Sequence, residues 1–86
     1  MKRIAILSII IENATDESIA KLNNVLHEYK DIIIGRMGVP DKTHGVNIIS
    51  IALCDTLDVL NSVTGKIGNI NNVSAKILIS SKEYEN

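Results

Sequence analysis

The sequence predicts one small α+β domain of the βαββαβ type, in which a four-stranded antiparallel sheet carries two helices on one face. Three observations predict it. The chain has 86 residues of which 45% are apolar, enough for one domain and one core. Short runs rich in Ile and Val alternate with stretches whose apolar residues recur at helical spacing. No linker divides the chain, and each half reads strand, helix, strand.

The elements follow in order. Arg3 to Ile11 is nearly continuous Ile, Leu and Ala, the composition of a strand buried on both faces. Thr15 or Asp16 can cap the first helix, and Asp16 and Glu17 suit the positive end of its dipole. Ile19, Leu22, Val25, Leu26 and Tyr29 then form an apolar stripe over three to four turns. Asp31 to Met37, built on Ile32-Ile33-Ile34, reads as the second strand. Gly38 to Gly45, with the chain's single Pro, reads as the main loop. Val46 to Cys54 is the third strand. Asp55 or Thr56 caps a second helix whose stripe is Leu57, Leu60, Val63 and Ile67. Gly68 stands where a left-handed cap would end that helix. Gly65, inside it, is explained by close packing on the sheet. Val73 to Ile79 is the fourth strand. Residues 1–80 thus form a single ferredoxin-like domain, and residues 81–86 form a polar C-terminal tail.

Two helices cover one face of such a sheet, yet the strands are apolar on both. Ile4, Ile6 and Ile10 alternate with Ala5, Leu7, Ile9 and Ile11, and Val46, Ile48 and Ala52 alternate with Ile49, Ile51 and Leu53. An apolar face left in water marks an interface, so the sequence predicts a homo-oligomer, dimer or tetramer. The rival reading is a monomer whose tail shields that face.

Composition narrows the chemistry. A net charge of −1 gives no electrostatic pull toward nucleic acid or anionic membrane. The longest apolar runs fall far short of a membrane span. Met1 to Leu7 looks like the start of a signal peptide, but Ser8 and Glu12 break its apolar core. One cysteine, Cys54, allows no internal disulfide, and a cytoplasmic location is expected. RNA binding of the kind this topology supports needs aromatic residues on the central strands, and the third strand has none. No paired acids, phosphate loop or nucleophile–base pair is recognisable, so no enzyme and no cofactor are expected. His27, His44 and Cys54 are the ligands a metal would have, with His27 expected on the solvent-facing flank of the first helix, His44 in the loop and Cys54 at the end of the third strand. Extended chain puts His44 and Cys54 roughly 30 Å apart, so only copies from different subunits could share an ion. A loop histidine and a small buried cysteine are the preferred readings. Arg36 could hold a carboxylate or phosphate bidentately, against the plainer role of a surface ion pair with Asp31, Asp41 or Asp55.

Arg36-Met37-Gly38-Val39-Pro40, then Gly45 to Ile51, Leu60 to Gly68 with its Thr64-Gly65-Lys66-Ile67-Gly68, and Val73 to Lys76 resemble the small regulators of the iron-only hydrogenase system. The resemblance covers nearly the whole chain, including Met1 to Ile11. It implies an ACT-like fold related to the C-terminal domain of the nickel-responsive repressor, with dimers or tetramers and a link to hydrogenase maturation. The chain departs from the nickel domain, because its third strand carries Asn47, Ile49 and Ser50 where that domain clusters His. The first strand–helix loop, Glu12 to Thr15, lacks the Gly often found in amino-acid-binding ACT domains, although Asn13 could turn left-handed. The expectation is therefore a non-enzymatic regulatory domain that binds a small effector or a hydrogenase-system protein. Arg36, Gly38, Pro40 and Lys66 are the candidate effector contacts, with Gly65 and Gly68 read as structural. Direct DNA binding is not expected. The alternatives are a metal-responsive binder using His44 and Cys54 across subunits, an accessory of hydrogenase maturation, and a purely structural interaction module.

Overall fold

A computed structural model describes residues 1–85. Strand β1 spans Arg3–Glu12, helix α1 Asp16–Glu28, strand β2 Ile33–Asp41, strand β3 Val46–Asp55, helix α2 Leu57–Gly68 and strand β4 Val73–Ile79, with a 3-10 turn at Lys30–Ile32 before β2. The sheet order is β2-β3-β1-β4 and every pairing is antiparallel. This is the predicted ferredoxin-like βαββαβ arrangement.

The register explains the core. Ala5, Leu7, Ile9 and Ile11 face the helices and are buried, while Ile4, Ile6 and Ile10 between them are exposed. On β3 the inward partners are Leu53, Ile51 and Ile49, opposite Ala5, Leu7 and Ile9. Leu22 and Leu26 of α1, and Leu60, Val63 and Ile67 of α2, close the core from above. Strand alternation and helical periodicity thus meet in one layer between sheet and helices. Ile19 and Leu57, expected in the helix stripes, lie on the rim and stay exposed.

Local chemistry fixes the helix starts. Thr15 Oγ1 accepts from the Ser18 amide at 3.1 Å, and Ser18 Oγ accepts from the Thr15 amide at 3.0 Å. This reciprocal pair satisfies two amides that would otherwise lack partners. Thr56 caps α2 through the Val59 amide. Asn13 is left-handed at φ 52°, and Asn72 takes the same region at φ 66° just before β4.

Other sequence expectations change as well: β2 begins at Ile33 instead of Asp31, because Lys30–Ile32 form the 3-10 turn. The stretch Gly38 to Pro40 is strand, because β2 pairs with β3 as far as Asp41 opposite Val46. Pro40 is tolerated because β2 is an edge strand, where a missing donor can face away from the ladder. The hairpin turn shrinks to Lys42–Gly45 and closes with Gly45 at φ 67°. Gly68 is the last residue of α2 and not a left-handed cap; Asn69 ends the helix in a right-handed conformation. Gly65 faces open space, with nothing within 4 Å of where a Cβ would sit, so close packing does not explain it.

Among the described residues, the tail does not cover the outer sheet face. Tyr84 pairs with Lys2 through backbone hydrogen bonds of 2.6 and 2.7 Å, and Glu83 meets Arg3 at 2.9 Å. The tail therefore runs along the start of β1, while Ile6 remains 45% and Leu78 71% exposed. Asn86 lies outside the described residues. Among the described residues, no helix is long and apolar enough to cross a membrane.

Candidate functional site

Edge strand β2 positions the site. By register Arg36 lies opposite Ile51, Gly38 opposite Ile49 and Pro40 opposite Asn47. Ile51 and Ile49 face the helices, so Arg36, Gly38 and Pro40 share the inner face of β2. That face is exposed, because α1 packs its buried Leu22 and Leu26 inboard of the edge strand. What remains is a furrow of about 340 Å³ between α1 and β2. Ile11, Ile19, Leu22 and Ile49 give it apolar walls, Asn23 and Asn47 contribute amides, and Arg36, Gly38 and Pro40 form the β2 side. Gly38 keeps it open, since the position of its absent Cβ is empty space.

The furrow continues past Arg36 into a recess bordered by Asn23, Leu26, His27, Lys30, Ile33 and Arg36. Toward the hairpin it meets another, bordered by Asn13, Ile19, Pro40, Asp41 and Asn47 among others. Among the described residues, Arg36 makes no ion pair, neither with Asp31 nor with Asp41 or Asp55. The plain surface-pair role is thus unfilled, and the guanidinium is free for a ligand.

The other candidates lie apart. Lys66, at the end of α2, holds Glu28 at the end of α1 through contacts of 2.9 and 3.1 Å and lies 5.1 Å from the centre of the Tyr29 ring. The Glu28 carboxylate, and after it Tyr29, hold the Lys66 ammonium above its usual pKa. Lys66 therefore ties the two helix ends together and does not line the furrow. His44 sits in the hairpin turn with Nδ1 2.8 Å from Asp41 Oδ2, while the other Asp41 oxygen accepts from the Thr43 amide at 3.1 Å. Cys54 is near the far end of β3, opposite Ile4 on the outer face and half-buried. One chain cannot bring His44 and Cys54 to one ion. Among the described residues, no three His, Cys, Asp or Glu side chains gather as metal ligands would.

Four residues are not read from the sequence as bordering the furrow: Asn23, Lys30, Asn47 and His27, which the sequence offers only as a metal ligand. The signal for two of them was there. Ile19, Asn23 and His27 recur every four residues, which stacks them on one flank of α1.

The chain is similar to several known structures. Protein TM1266 of Thermotoga maritima matches at 29% identity with a TM-score of 0.88, covering 92% of this chain and 98% of that one. The ACT domain of the GTP pyrophosphokinase of Chlorobium tepidum matches at 14% identity with a TM-score of 0.62, covering 99% and 96%. A formyltetrahydrofolate deformylase of Pseudomonas putida matches at 10% identity with a TM-score of 0.61, covering 87% of this chain but 28% of the enzyme. The last two likenesses concern the fold alone, and they make it ACT-like. No curated protein matches the chain. The sequence profile that matches residues 3–77 is that of the TM1266-like family, described as "Iron-only hydrogenase system regulator, putative", and the chain belongs to that family.

Proposed function

We propose that the chain is a non-enzymatic regulatory module of the iron-only hydrogenase system, which assembles with copies of itself and takes a small effector in the furrow between α1 and β2. Family membership supports the regulatory part. The assembly part rests on the outer sheet face, where the register lays side chains in rows. Leu78, Ile6 and Ala52 form one row, and Ile10, Ile48 and Val39 belong to another. Between them runs the row Lys76, Ser8, Ser50 and Met37. A two-fold axis along the Ser8–Ser50 row would lay each apolar row of one copy on the other apolar row of its partner, with Lys76 at the β4 edge of the sheet, where its ammonium can reach water. Four strands spaced about 4.8 Å, each rising about 3.3 Å per residue, give a face roughly 20 by 30 Å. That is the scale of the roughly 800 Å² per partner in a standard interface. Using this face leaves the furrow, on the opposite side of the sheet, open to ligand.

Native mass spectrometry of freshly and anaerobically purified protein tests both parts. An even-numbered oligomer carrying a small extra mass is the expected result. A monomer at micromolar concentration would remove the assembly part. A clean oligomer that takes up no small molecule from a metabolite panel would leave a structural module instead.

A further inference from the structure

We infer that the furrow selects an anionic amphiphile, a small molecule with a carboxylate or phosphate head and an uncharged apolar body, and that it rejects amino acids. This rests on the reading above that the furrow takes the effector. The head would meet Arg36, Lys30 and His27, which line one end together. Neither Arg36 nor Lys30 has an ion pair among the described residues. A net charge of −1 shows that this local excess of cations is not a general feature of the surface. The body would lie over Ile11, Ile19, Leu22 and Ile49, in a space at the small end of ligand-site volumes.

The exclusion of amino acids follows from what is missing. No Asp or Glu lines the middle of the furrow or its cationic end. An ammonium placed beside the carboxylate would lose water and gain no charged partner, which is costly. It would also stand close to Arg36. Asp41 borders the next recess, toward the hairpin, but it already holds His44 and Thr43.

The test uses the full chain, labelled with nitrogen-15 and titrated with four probes that share a six-carbon body: hexanoate, hexyl phosphate, norleucine and hexan-1-ol. The amide signals of Asn23, Arg36, Gly38 and Asn47 report on the furrow. Hexanoate or hexyl phosphate should shift them saturably, and the stronger of the two identifies the head group. Norleucine and hexan-1-ol should bind about tenfold more weakly or worse, the factor expected for losing a charge-assisted contact. Arg36→Gln, a change on an exposed edge position, should weaken the anionic probe by about the same factor. Norleucine or hexan-1-ol binding as well as the anions would keep the furrow as a site and overturn its selectivity. Silence from all four probes would overturn the furrow as a site for such ligands. Unchanged affinity in Arg36→Gln would remove the assigned head-group contact and with it the inference.

Discussion

Gly38 on edge strand β2 lies opposite Ile49 of β3, and no atom lies within 4 Å of where its Cβ would be. The gap is the floor of the furrow. Gly38→Val should therefore fill the site without a clash. Valine favours strand geometry, and replacing glycine also restricts the unfolded chain, a gain of about 0.4–1 kcal/mol. The expected outcome is a melting temperature equal to or above that of the parent, together with loss of hexanoate binding. Lowered stability with binding intact would mean that the furrow is not where the ligand sits.

Ile6 stands at the middle of the outer face, between Ala52 and Leu78, and is 45% exposed. Ile6→Lys costs the single chain little, because that side chain is not in the core. In an assembled face the charge would be buried against apolar residues and strongly opposed. Native mass spectrometry should show monomers with an unchanged circular dichroism spectrum. An oligomer that persists would place the interface elsewhere.

Leu7 is fully buried between Ile51 and Ile77 of the flanking strands. Leu7→Ala should cost about 2–5 kcal/mol, from lost burial and from the cavity left behind. Urea unfolding should show the midpoint falling with little change in slope. A loss under 1 kcal/mol, measured against a core-change estimate of about 2 or more, would argue against the inward register of β1.

The Thr15–Ser18 capping box supplies a smaller but separable quantity. Thr15→Ala should lower stability by about 1 kcal/mol, and Ser18→Ala should remove the reciprocal bond. The double variant should cost less than the sum, since each partner depends on the other. Additive losses would show that the two bonds act independently.

Lys66→Ala should leave furrow ligands unaffected, because Lys66 engages Glu28 and Tyr29. Its folded pKa is raised above the usual 10.5. The stabilisation from this contact is therefore fully present below that value and is lost as pH rises through the folded one. Melting curves of parent and variant should differ by a constant amount between pH 7 and 9, well below that window, and converge only in strong alkali. A lost ligand response in Lys66→Ala would restore Lys66 as an effector contact.

Much of the fold was legible in the sequence because it rests on period and composition. The alternation of Ala5, Leu7, Ile9 and Ile11 with Ile4, Ile6 and Ile10 fixes β1 and its two faces. The spacing of Leu60, Val63 and Ile67 fixes the buried side of α2. Thr15 and Thr56 mark helix starts because a hydroxyl can satisfy a free amide within a few residues. Such features are local, and a chain reports them without its partners. The motif at Arg36 to Pro40 could be singled out in the same way. Its conformation could not, since Gly and Pro read as loop until β3 supplies the hydrogen-bonding partner that holds them in an edge strand. The tertiary structure alone decided that Arg36 finds no acid among the described residues, that Lys66 is spent on Glu28, and that Asn23, His27, Lys30 and Asn47 border the same furrow. Each of these depends on how far α1 sits from β2, a distance set by packing between elements remote in sequence.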